Sequence, residues 1–150
     1  VEESRYREHK GKLPVVDEYL KITAPNYASI TGKRLFIQPN LFNKLSGKIS
    51  NEKPRKFDIQ VNTSYKDVDT LIITIPDGYI VEGMPKDVSL QGPWGKYNIS
   101  FRVEGNTIET IRIDETYEGT YSVSEFASFH QFIEEQFKAD RSKIVLVKKE

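Results

Sequence analysis

The side chains able to do chemistry are few in this sequence, and their spacing narrows them further. There are two histidines, His9 and His130, and no cysteine. Thiolate catalysis, disulfides and cysteine-held zinc are therefore excluded from this stretch. His9 sits in a charged leading segment. His130 lies beside Phe129 and near Ile133 on a helical pattern, so it reads either as a general base in a pocket or as a wall residue with one wet edge. Nothing else here supplies a Ser-His-Asp relay or a second imidazole ligand, so the wall reading stands. Asp67 and Asp69 flank Val68, and Asp114 precedes Glu115. A calcium ion needs several oxygens converging at one place, and neither pair has that spacing, so both read as solvated carboxylates. No cofactor and no metal is implied. Gly92-Pro-Trp-Gly95 opens no helix and is no phosphate loop.

The most suggestive residues are aromatic. Trp94 is the single tryptophan, and Tyr97 follows two residues after Gly95. Together they could stack on a sugar ring or a peptide, with Tyr79, Tyr117 and Tyr121 joining them. The competing reading folds Trp94 over one end of the domain as part of its core.

Composition removes other classes. Lys plus Arg and Asp plus Glu number 22 each in 150 residues, so there is no basic excess for nucleic acid. The clusters Lys53-Pro-Arg-Lys56 and Lys148-Lys149 are too small to change that. No run is apolar enough to span a bilayer, and no signal-peptide pattern opens the chain. The chain starts at Val1 and its one methionine is Met84, which reads as a piece of something longer.

The elements that must position these residues are mostly strands. Residues 1–14 read as a linker or frayed lead-in, and 15–150 as one domain. Alternation marks strands at Val15–Thr23, Lys33–Gln38, Phe57–Val61, Thr70–Ile75, Tyr79–Val81, Val88–Leu90, Tyr97–Val103 and Ile108–Tyr117. Lys66-Asp67 reads as a turn, and residues 40–54 as the best candidate for a mobile loop. Ile108, Ile111 and Ile113 change parity once, which predicts a bulge near Glu109-Thr110. Ser122 and Glu125 form a capping box that opens a helix over about 122–139. Phe126, Phe129, Ile133 and Phe137 mark its buried face. A final strand follows at about 143–148, parallel to Ile108–Tyr117 if the two share a sheet. About eight short, mostly antiparallel strands with Gly/Pro turns read as a mainly β fold, a β-sandwich closed by one C-terminal helix.

Pro54-Arg-Lys-Phe-Asp, Leu71-Ile-Ile-Thr-Ile-Pro-Asp-Gly-Tyr79, Val81-Glu-Gly-Met-Pro85, Trp94-Gly-Lys-Tyr97, Gly119-Thr-Tyr-Ser-Val-Ser-Glu-Phe126 and Lys138-Ala-Asp-Arg-Ser-Lys-Ile-Val-Leu146 occur in an order that resembles the C-terminal domain of uncharacterised function in bacterial transglutaminase-like multidomain proteins. Asn26-Tyr-Ala-Ser-Ile-Thr-Gly-Lys-Arg-Leu-Phe36 fits its start, so the resemblance runs from about Val16 to Lys148. It implies an upstream papain-like core with a Cys-His-Asp relay, none of which maps onto this chain, and a periplasmic or envelope location. The expected role is then a non-catalytic accessory domain whose partners are the upstream domains of its parent. The alternative is a module binding envelope glycan or peptide at Trp94 and Tyr97.

Overall fold

Alternation of side chains decides most of this architecture. The computed structural model describes residues 1–21, 23–51 and 54–149; Ile22 and Lys53, used above, lie outside them. Its largest sheet is built from β6 (Tyr65–Thr74), β10 (Thr107–Thr116), β9 (Gly95–Glu104) and β8 (Val88–Gly92), in that spatial order and all antiparallel. β10 is central and pairs along its whole length on both sides without a slip. The β9–β10 connection turns at Gly105, whose φ of 58° a side chain would resist. Two expectations fail here. Lys66 and Asp67 lie within β6 and pair with Glu115 and Asp114, and no bulge interrupts β10. The parity change has another cause: Ile108 faces the core, whereas Ile111 and Ile113 lie on the opposite face.

A second four-stranded sheet runs β3 (Ser29–Thr31), β4 (Arg34–Ile37), β12 (Ile144–Lys148) and β7 (Tyr79–Gly83). The C-terminal strand is inserted between β4 and β7, antiparallel to both. It is therefore not in the sheet of β10, and the expected parallel relation does not arise. A register shift does occur in this sheet, between Val145 and Leu146. Ile37, Ile144 and Leu146 from this sheet meet Ile108 and the residue after β6, Ile75, in one core, joined by Phe101 and Val81. The two large sheets thus share an apolar layer.

The other end of the β6–β10–β9–β8 sheet is covered by α1 (Phe126–Ala139). Its start is fixed as expected: the Ser122 hydroxyl accepts from the Ser124 N–H, and the Glu125 carboxylate accepts from the Ser122 N–H. The first turn is a tight 3-10 turn over Val123–Glu125. The buried residues of the helix are Phe126, Phe132, Gln136 and Ala139, with Phe129 and Ile133 half-buried. The face is therefore rotated from the expected one: Phe137 moves to its flank and a glutamine enters the interior.

Two small pairs complete a mainly β chain that has, among the described residues, twelve strands and one C-terminal α-helix. β5 (Ile59–Val61) pairs with β11 (Gly119–Tyr121). β1 (Glu3–His9) pairs with β2 (Val15–Lys21) over seven cross-strand positions. The segment expected to be a frayed lead-in is thus half of a hairpin. β2 falls where the strand at Val15–Thr23 is expected, whereas β1 carries one large apolar residue, Tyr6, among charged ones, so no apolar parity marks it.

Candidate functional site

Thr110, Arg112 and Asp114 follow Ile108 on the inward face of β10. A strand aims every second residue at the same face, so a polar run at that parity must be buried. The end of α1 meets it. Asp140, the residue that closes the helix, is 1% exposed and Arg112 is 2% exposed. Arg112 donates from Nε to Asp140 Oδ1 at 2.9 Å, from Nη2 to Asp114 Oδ2 at 2.9 Å and from Nη1 to Asp69 Oδ2 at 3.0 Å. Three carboxylates converge on one point, and the guanidinium occupies it. Its planar fork of donors suits that task.

Asp140 is the hub. Its Oδ1 also accepts from the Tyr97 hydroxyl at 2.9 Å and the Asn40 amide at 2.8 Å, and its Oδ2 accepts from the Leu45 N–H at 2.9 Å. The Gln38 amide donates to its backbone carbonyl. Gln136, one turn earlier on α1, donates to Asp114 Oδ2 at 2.8 Å, and Asn43 donates to Asp69. The cluster therefore ties the end of α1, strands β6, β9 and β10, and residues 38–45 together. The expected mobile loop has no regular element, yet Asn40, Leu45 and Lys48 are each bonded to α1 or its end.

The electrostatics follow from burial. Burial works against the Arg112 charge, but the Asp140 and Asp114 carboxylates more than offset it and raise the guanidinium above its ordinary range. Burial pushes the Asp114 carboxyl up; Arg112 pulls the other way, and Asp140 and Asp67 add to the rise. Burial, with Asp140 beside it, raises the Tyr97 hydroxyl far above the usual phenol range. The paired buried charges make a structural knot, beside which the buried Thr110 hydroxyl has no hydrogen-bond partner. Of the charged members only Asp69 reaches the rim, while Arg112, Asp114 and Asp140 are buried.

The residues singled out from sequence fall in different places. Tyr97 is fully buried and serves the cluster. Trp94 is 6% exposed and stands edge-on to Tyr121, Phe129 and Phe132, with ring centroids 6.1, 5.2 and 6.2 Å away. Neither ring offers a face for stacking as placed; both belong to the core under α1. The indole Nε1 is buried without a hydrogen-bond partner and lies against Gly92. His130 is half-buried, 6.1 Å from the Phe126 ring, and His9 pairs with Asp17 in the exposed hairpin. Asp67 stands opposite Asp114. Among the described residues no cluster of His, Asp or Glu is arranged to hold a metal ion. Arg112, Gln136, Asn40 and Asp140 were not foreseen from the sequence. The available signal was parity: residues 110, 112 and 114 share that of Ile108.

Comparison with protein families matches residues 33–146 to a domain of unknown function with solved structures, DUF3858. The chain is a DUF3858 domain. No curated protein matches it. Among solved structures it is similar to a crystal structure of a "putative protease" from Parabacteroides distasonis, with 18% identity and a TM-score of 0.55. That match covers 65% of this chain and 19% of the other, so the part alike is about a fifth of a longer protein. Identity this low carries the fold alone. The β1–β2 hairpin lies outside the DUF3858 match.

Proposed function

We propose that this chain is a non-catalytic accessory domain of an exported, transglutaminase-like bacterial protein, and that it packs on and positions that protein's catalytic core. The β1–β2 hairpin carries the reading. Its strands pair with each other, and only Glu3 and Leu20 are even half-buried. Tyr6 and Val16 lie on one face of the ribbon with Leu20, while Val15 and Tyr19 lie on the other. Tyr6 is 75% and Val16 is 61% exposed. A two-stranded ribbon is marginal alone in water and needs a hydrophobic partner surface. A self-paired ribbon that exposes Tyr6, Val15, Val16 and Tyr19 among charged residues, outside the domain's own core, suits docking on a neighbouring domain. The likeness to part of a much longer protein supports the same reading, and so does the closure of the Arg112 cluster to solvent. An envelope location goes with this parentage and is proposed with it.

The test uses the longer parent. Deleting residues 16–148 should lower its activity or stability, and Tyr6→Ser with Val16→Asp should uncouple the unfolding of this domain from that of the core. In the isolated 1–150 chain the same double substitution should leave the main unfolding midpoint in place. A parent with unchanged activity, stability and localisation after the deletion overturns the proposal.

A further inference from the structure

A different surface points to a ligand, and it stands independently of the docking role of the hairpin. β8 is the edge of its sheet: β9 pairs with it on one side, and among the described residues no strand pairs with it on the other. Two depressions, of about 450 and about 390 Å³, open along the seam between β8 and α1 and share Glu135. The first touches Gly92 at the end of β8 and Glu125 at the start of the helix. The second touches Lys86 before β8 and Lys138 near the end of the helix. Strand and helix therefore run in opposite directions along one slot. Lys86 to Gly92 spans roughly 20 Å at strand rise, and Glu125 to Lys138 spans roughly 20 Å at helix rise.

The chemistry of the slot is directional. Leu90 and Phe132 give the first depression apolar surface, Glu125 stands at that end, and Glu135 lies between the two depressions. Lys86 and Lys138 stand at the other. Glu125 already accepts from the Ser122 N–H and Glu135 from the Gln131 amide, but a carboxylate has about four acceptor positions, so each retains capacity for a cation. An unpaired strand edge offers main-chain donors and acceptors to any extended chain laid beside it, and side-chain pockets then select the sequence.

We propose that this slot binds an extended peptide of about six residues, added to β8 as an antiparallel strand. In that orientation the N-terminal end of the peptide lies by Gly92 and Glu125, its middle passes Glu135, and its C-terminal end lies by Lys86 and Lys138. The ligand therefore carries a lysine or arginine near its start, small or β-branched residues in its middle, and an acidic residue near its end. The opposite orientation would set its charges against like charges.

The probe is the acetylated, amidated hexapeptide Arg-Val-Thr-Val-Thr-Glu, titrated into the isotope-labelled 1–150 chain and followed by amide chemical shifts. The control is the peptide with reversed order. The forward peptide should shift the Val88–Gly92 and Ser128–Glu135 amides, and the reversed one should bind about fivefold more weakly. Lys138→Glu should weaken the forward peptide by a similar factor while the chain melts as before. If that variant melts early, Lys86→Glu replaces it, with the same weakening expected. The proposal is overturned by equal binding of the two peptides, by shifts confined to the hairpin or to β6, or by no shift at millimolar peptide. It is also overturned if a cell-wall hexasaccharide shifts the β8 and α1 amides while the peptides do not.

Discussion

The two ends of this molecule invert the usual rule of where charge and apolar surface belong. At the close of α1, three carboxylates and a guanidinium are gathered, with Asp140, Asp114 and Arg112 sealed inside. In the β1–β2 hairpin, Tyr6, Val15, Val16 and Tyr19 face water. Buried charge is tolerated only when paired and hydrogen-bonded, and here the donors come from four separate stretches of chain. The cluster region is complete within the chain. The hairpin buries almost nothing of its own, so whatever makes its apolar faces worth keeping lies outside it. One region is finished and the other is a surface.

That contrast can be broken from the cluster side first. Asp140→Ala should cost about 3–5 kcal/mol, because it strands Arg112, Tyr97 and the Leu45 N–H in the interior; urea unfolding measures it. Replacing Arg112, Asp114 and Asp140 together by apolar residues of similar size should recover much of that loss. A triple variant as unstable as the single one would mean that the cluster is not simply a structural knot. Gly95→Ala comes next. Its added carbon would overlap the Glu115 carbonyl oxygen across the β9–β10 pairing, an overpacking cost of about 1–3 kcal/mol in the same assay.

The pH dependence sharpens the comparison. The Asp114 carboxyl is held above its ordinary 3.8 chiefly by burial. A group raised on folding contributes stability that is complete below its unfolded value and is lost as pH rises through its folded value. The stability advantage of the wild type over Asp114→Asn should therefore be complete below pH 3.8 and shrink as pH rises above it. An advantage that grows with pH would show that the ion pair with Arg112, not burial, dominates. The smallest effect belongs to the hairpin: Val16→Asp should change the unfolding free energy of the 1–150 chain by no more than about 0.5 kcal/mol.

Much of the scaffold was legible because it follows local rules. The Ser122–Glu125 box, the alternation in β9 and the turn at Gly105 each depend on neighbours in sequence, and each is where the residues place it. The insertion of β12 beside β4 and β7 depends on partners about 110 and about 65 residues away, which periodicity does not encode. The cluster was missed for a sharper reason. Treating isoleucine as inward turned Ile111 and Ile113 to the core and Arg112 to water, whereas the partners that stabilise Arg112 inside, Asp140 and Asp69, are fixed only by tertiary packing. Trp94 and Tyr97 were read as a pair. They are neighbours in one core, but one closes an aromatic edge-to-face group and the other anchors a carboxylate. Asp140 itself lay within the stretch that carried the family resemblance, where its spacing gave no hint of burial.

Native-state hydrogen exchange on the intact chain tests the contrast most directly. The paired amides of β10 from Ile108 to Asp114, and those of the last turn of α1, should exchange only through global unfolding, while the β1–β2 amides exchange at a small fraction of that free energy. Hairpin amides protected to the global limit, or a last helical turn that opens before β10, would contradict the account.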